Sequence, residues 1–139
     1  MIQIEECDYD DPESVVSGFI ASMNFWEIQA WTLSKKSKDG QIWAEILRAQ
    51  EAVFASFCTP KDRPFGRNGS FQKPPEYDPQ NESIVASDFE REDRAHVETQ
   101  REALLGGGRY RYTLYRRGGR WLIDNIKFYE AGTWTRSIL

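Results

Sequence analysis

Three side chains in this sequence could do acid–base chemistry, and each sits in a different pattern. Glu27 falls within an apolar series of Val15, Val16, Phe19, Ile20, Met23, Trp26, Ala30 and Leu33, spaced three and four apart. At about 100° per residue from Val15, Glu27 lies at roughly 120°, between Met23 and Ile20 and inside the apolar stripe. A carboxylate held there away from water is raised in pKa and becomes a general base, the chemistry of isomerases and dehydratases. Asp124 and His96 are the candidates for a second acid or base. The structural alternative for Glu27 is a buried carboxylate held by a Trp indole N–H or by an Arg. His96, the only histidine, reads equally as a surface or hydrogen-bonded strand residue, and Asp124 as a cross-strand partner of Arg111 or Arg120.

Other chemistries lack their residues. One histidine and two distant cysteines, Cys7 and Cys58, give no metal-ligand spacing, so neither a metal site nor a cofactor is expected, and both thiols read as reduced. Gly106, Gly107 and Gly108 precede a strand, whereas a phosphate-binding loop must lead into a helix whose N-terminus faces the anion. They read as a turn.

Charge suggests binding. The net charge is −4, yet residues 1–34 hold seven carboxylates and no Lys or Arg, which leaves the remainder basic by three. Glu5, Glu6, Asp8, Asp10, Asp11 and Glu13 are the candidate partner-binding residues, a negative patch able to steer and grip a basic protein. Carboxylates are also what a helix N-terminus attracts, so part of the cluster reads as capping. Arg109, Arg111, Arg116, Arg117 and Arg120 form the opposite feature, with no carboxylate from 109 to 120. In an acidic chain these arginines read as the solvated face of a twisted sheet, and direct nucleic-acid binding is not expected. The acidic start is the reverse of a secretory signal, and no apolar stretch approaches the roughly 20 residues of a membrane span. The expectation is a cytoplasmic protein without a membrane partner.

The elements that must position these residues follow from periodicity. Asp10, Asp11 and Pro12 read as a helix start, with the helix running to about Ser34 and Lys38, Asp39 and Gly40 as its break. A second amphipathic helix covers about Gln41 to Cys58. Residues 59–80 lose the pattern and hold five of the six prolines, with Phe65, Phe71 and Tyr77 expected to pin the loop to the core. Strands follow at Ile84–Phe89, Ala95–Glu102, Arg109–Arg117 and Arg120–Tyr129, and Trp134–Leu139 closes the chain. Gly118 and Gly119 supply a two-residue hairpin turn, and the parity change between Ile123 and Ile126 marks a bulge near Asp124. The expected fold class is α+β, in one domain spanning 1–139.

This order, ending in a Gly-Gly-Arg-Trp-Leu-Ile-Asp hairpin, resembles the nuclear transport factor 2-like fold, in which N-terminal helices pack on a strongly curved antiparallel sheet to make a cone. Within that fold the chain resembles the bacterial immunity proteins that neutralise toxin domains of polymorphic toxin systems. The residues that carry this are Met23, Asn24, Trp26 and Glu27; Tyr77, Asp78 and Pro79; Val97, Glu98 and Thr99; Tyr110, Tyr112 and Leu114; Gly119 to Asp124; and Trp134, Ile138 and Leu139. The resemblance implies a noncatalytic inhibitor whose partner is a cognate toxin domain, for example a nuclease, and a possible homodimer through the sheet. The other readings are a cone-pocket isomerase or dehydratase using Glu27, and a ligand-binding or dimerising accessory domain.

Overall fold

The computed structural model describes residues 2–36, 39–63, 69–102 and 107–139. Helix α1 spans Pro12–Lys36 and helix α2 spans Gly40–Phe57. Asp11 caps α1 by accepting the Glu13 N–H at 3.0 Å, with Pro12 in the first turn, where a missing N–H costs nothing. Asp39 caps α2 in the same way through the Gln41 N–H, 3.0 Å away.

Five antiparallel strands follow in sequential order: β1 Glu82–Arg91, β2 Arg94–Arg101, β3 Gly108–Arg117, β4 Arg120–Glu130 and β5 Thr133–Arg136. Gly118 and Gly119 turn β3 into β4 with φ of 57° and 78°. Ala131 and Gly132 make the same kind of turn before β5, with φ of 51° and 82°. Thr113 pairs with Asn125 and Leu114 with Ile123, so Asp124 is the extra residue of a bulge. β1 begins two residues before the expected Ile84 and ends two beyond Phe89, closed by a turn at Glu92 and Asp93 that no glycine announces.

Strand parity gives the sheet two unlike faces. Ala95, Val97, Thr99 and Arg101 of β2 point inward with Tyr110, Tyr112 and Leu114 of β3 and Trp121, Ile123 and Ile126 of β4, all of them buried. α1 packs on β2 and β4 from this side, and α2 packs on α1. At the centre, fully buried Phe19 meets Phe54, Phe57, Tyr77 and Tyr112 edge-on, with ring centroids 5.3–6.4 Å apart. The loop after α2 is held as expected where it is described: Tyr77 is buried and Phe71 packs on Trp26 at 5.9 Å. Pro64 and Phe65 lie outside the described residues, as does Gly106, while Gly108 opens β3 at φ 144° against the Phe128 ring.

Because Phe19 touches rings from the second helix, the loop and the sheet, Phe19→Ala is expected to lower stability by about 3–5 kcal/mol, read from urea unfolding midpoints at unchanged slope.

Candidate functional site

Glu27 is fully buried, as its place on the stripe required, and its carboxylate accepts the Tyr77 backbone N–H at 3.0 Å. Three residues earlier on α1, Asn24 Nδ2 donates to the Tyr77 carbonyl at 2.8 Å. Residues three apart on a helix are neighbours, so the two side chains grip both polar groups of one peptide. The Trp26 indole, one of the partners expected from sequence, donates through Nε1 to the Ile46 carbonyl at 2.9 Å. Gln50 of α2 does for the loop's earlier part what Glu27 does for Tyr77: it is buried and accepts the Gly69 N–H at 2.8 Å. Buried polar side chains of the two helices thus serve as fixed partners for loop backbone that would otherwise be desolvated without a hydrogen bond.

A second polar set fills the inner face of the sheet. Glu82, at the start of β1, and Arg101, at the end of β2, stand opposite each other and are joined Oε1 to Nε at 2.8 Å, with side-chain exposures of 1% and 7%. Thr99 and Tyr112 donate their hydroxyls to Glu82 Oε2 at 2.6 and 2.8 Å. The Arg101 guanidinium lies 3.8 Å above the Tyr110 ring and 4.9 Å from the Tyr77 ring, and reaches Glu76 at 3.4 Å. Burial opposes the charge on Arg101, but the oxygens of Tyr112 and Glu82 outweigh it and hold the guanidinium protonated more firmly than usual. Burial first, and the Glu82 carboxylate next, push the Tyr112 phenol well above its ordinary range, so it remains a donor. Nothing local in the sequence marks the two as a pair, although Arg101 continues the period-two series of Val97 and Thr99 and Glu82 continues that of Ile84.

Asp124 and His96 do not join Glu27. Asp124 sits on the β4 bulge, where its oxygens take the Thr59 hydroxyl at 2.8 Å and Lys61 Nζ at 3.0 Å. The expected pairing with Arg111 or Arg120 is replaced by this one, because the bulge turns Asp124 toward the segment leaving α2. There the Thr59 N–H donates to the Ile123 carbonyl at 2.8 Å. Partial burial opposes the Asp124 charge, but the Thr59 and Lys61 hydrogen bonds hold its pKa below the ordinary value. His96 is on the outer face, bonded through Nε2 to Glu90 at 2.8 Å and through Nδ1 to Thr113 at 3.4 Å. The sheet therefore stands between His96 and Glu27. Cys7 and Cys58 are free thiols, and burial pushes Cys58 up to about 12.

The acidic cluster is exposed, and several of its members have local duties. Asp8 accepts the Asp10 N–H at 2.9 Å, Asp11 is the helix cap, Glu13 accepts the Ser87 hydroxyl at 2.6 Å and Asp10 meets Arg116 at 3.4 Å. Asp11, Glu13 and His96 border one cleft of about 60 Å³ between the α1 start and β1. In the arginine-rich hairpin, Arg109 and Arg111 share Glu98 at 2.9 and 3.1 Å, and Arg120 stacks on Tyr9 at 3.8 Å. Among the described residues no group of acidic, histidine or cysteine side chains could hold a metal ion, and no helix is long and apolar enough to cross a membrane.

Residues 11–137 match the family described as NTF2 fold immunity protein, and the chain belongs to that family. It is also similar to the immunity protein RhsIA of Dickeya dadantii, 28% identical over 123 residues that cover 85% of this chain and 89% of that protein. No solved structure matches the chain.

Arg101→Met leaves the Glu82 carboxylate buried without its cation and is expected to cost about 3–5 kcal/mol in urea unfolding; Glu82→Gln/Arg101→Met, with no unpaired charge, should recover part of that loss. Asp124 contributes stability that is present above the ordinary carboxylate pKa of about 3.9 and lost as pH falls through its lower folded-state value. Thermal unfolding of Asp124→Asn should accordingly fall less steeply than wild type on acidification below about pH 4.

Proposed function

We propose that this chain, acting as one domain over residues 1–139, is the immunity partner of a polymorphic toxin. It binds a toxin domain in the cytoplasm and blocks the toxin's active groove or its productive conformation, without catalysing a reaction itself. Membership of the immunity family supports this reading, and the observation that carries its noncatalytic half is the state of Glu27. The carboxylate best placed for general-base work is fully buried and occupied by the Tyr77 peptide, and a base must reach the proton it removes. The surrounding Phe19, Trp26, Tyr77 and Tyr112 are themselves at most 1% exposed, so the cone is filled by the protein's own side chains at that level.

The similar RhsIA protein is named as an immunity protein, which favours a proteinaceous partner over a small-molecule substrate. If the toxin is a nuclease, its phosphate-attracting groove is basic, and the exposed Glu5, Glu6, Asp8, Asp10, Asp11 and Glu13 provide the complementary charge.

Growth rescue tests the proposal. Cells expressing the toxin domain encoded beside this chain should survive when the chain is co-expressed, and the two should copurify. Failure with every neighbouring toxin would remove the immunity reading. Glu27→Gln should still protect while lowering the melting temperature by several degrees, since the Tyr77 peptide loses a charged acceptor; lost turnover at undiminished stability would instead identify an enzyme. Charge reversal at Asp8 and Asp10 should weaken complex formation about tenfold or more, measured by calorimetry at low salt, with the fold retained. An unaltered affinity would take these residues out of the interface.

A further inference from the structure

The outer face of the sheet carries an uncompensated charge that the fold does not need. Glu98, Arg111, Lys127 and Arg136 stand side by side across β2, β3, β4 and β5, each opposite the next. Three neighbouring cations thus share one carboxylate, and Glu98 is already divided between Arg111 and Arg109. Among the described residues neither Lys127 nor Arg136 has an ion-pair partner, although the two are directly opposed. Like charges facing each other across a ladder destabilise it. Beside the row, Tyr129 and Trp134 are paired with ring centroids 5.1 Å apart, and the Arg111 guanidinium lies 4.2 Å above the Trp134 ring. Tyr129 is 46% exposed. An exposed tyrosine and a half-buried tryptophan next to a stacked arginine have the composition of an interface hot spot rather than of an ordinary solvated face.

We infer that this face is a docking surface for a carboxylate-rich segment of the toxin domain, with Lys127 and Arg136 making the ion pairs and Tyr129 and Trp134 the apolar contact. The inference rests on the immunity reading and adds a second surface to it. A second copy of the chain is a poor occupant, because a face-to-face dimer would set two cation rows against each other. A nucleic acid is disfavoured by the net charge of −4 and by Glu98 within the row, since an extended polyphosphate needs a continuous basic track. A protein partner needs only local complementarity.

The test is Lys127→Gln/Arg136→Gln, measured for affinity to the neighbouring toxin domain and for melting temperature. The expected result is at least a tenfold loss of affinity, with a melting temperature equal to or above wild type because the opposed cations are gone. Wild-type affinity in the folded variant would overturn the inference and leave the immunity reading standing. Should the wild-type chain bind no toxin domain, that reading fails, and a labelled ten-residue oligoglutamate peptide and an oligonucleotide of equal length decide the face separately. Peptide binding that the variant abolishes upholds a site for acidic segments; no peptide binding, or preference for the oligonucleotide, overturns it.

Discussion

The Glu82–Arg101 pair sits where an antiparallel sheet must be tied to everything packed inside it. Its two members join the edge strand to its neighbour, collect hydroxyls from β2 and β3, and reach through the Arg101 guanidinium to the ring of Tyr77. Tyr77 is in turn gripped through its peptide by Asn24 and Glu27 of α1. One polar chain therefore connects the first helix, the proline-rich loop and the first three strands across the middle of an aromatic core. Such a chain is all or nothing: with every group bonded it fixes a single arrangement, whereas one missing partner leaves a buried charge or amide exposed to the full desolvation penalty. The rings around this network, Phe19, Tyr77 and Tyr112, are themselves at most 1% exposed.

On the proposed reading the interior holds the fold and recognition falls to the outside. That outside is polarised. A patch of carboxylates surrounds the start of α1, and a row of cations with two aromatics crosses the outer sheet. Opposed charges at separate places favour a partner that presents the reverse pattern in one orientation, and they reject partners that cannot. An inhibitor that must recognise its own toxin and spare unrelated proteins is well served by such a division between a rigid inside and a charged outside.

Much of this architecture was legible in the sequence because periodicity and turn chemistry are local. The α1 stripe placed Glu27 inward, and Gly118, Gly119 and the parity break near Asp124 gave the β3–β4 hairpin with its bulge. Partners were not legible. Glu27 bonds a peptide fifty residues away, and Asp124 finds Thr59 and Lys61 because a bulge aims it at the end of a helix. Neither contact has a signature in spacing. Arg101 and Glu82 were readable in principle, since both keep inward parity, but a charged residue at a strand end is ordinarily taken as solvated. The β1–β2 turn at Glu92 and Asp93 lacks the glycine found at the β3–β4 and β4–β5 turns, so the full length of the first strand has no local signal.

If the interior polar network is structural and recognition belongs to the outer surface, disarming the network should spare toxin binding. Titration of the neighbouring toxin domain with the Glu82→Gln/Arg101→Met variant, under conditions where its unfolding curve shows it folded, tests this most directly. The predicted result is an affinity within about threefold of wild type, a difference of roughly 0.6 kcal/mol. A folded variant that had lost the toxin would contradict the claim and move the binding site into the cone.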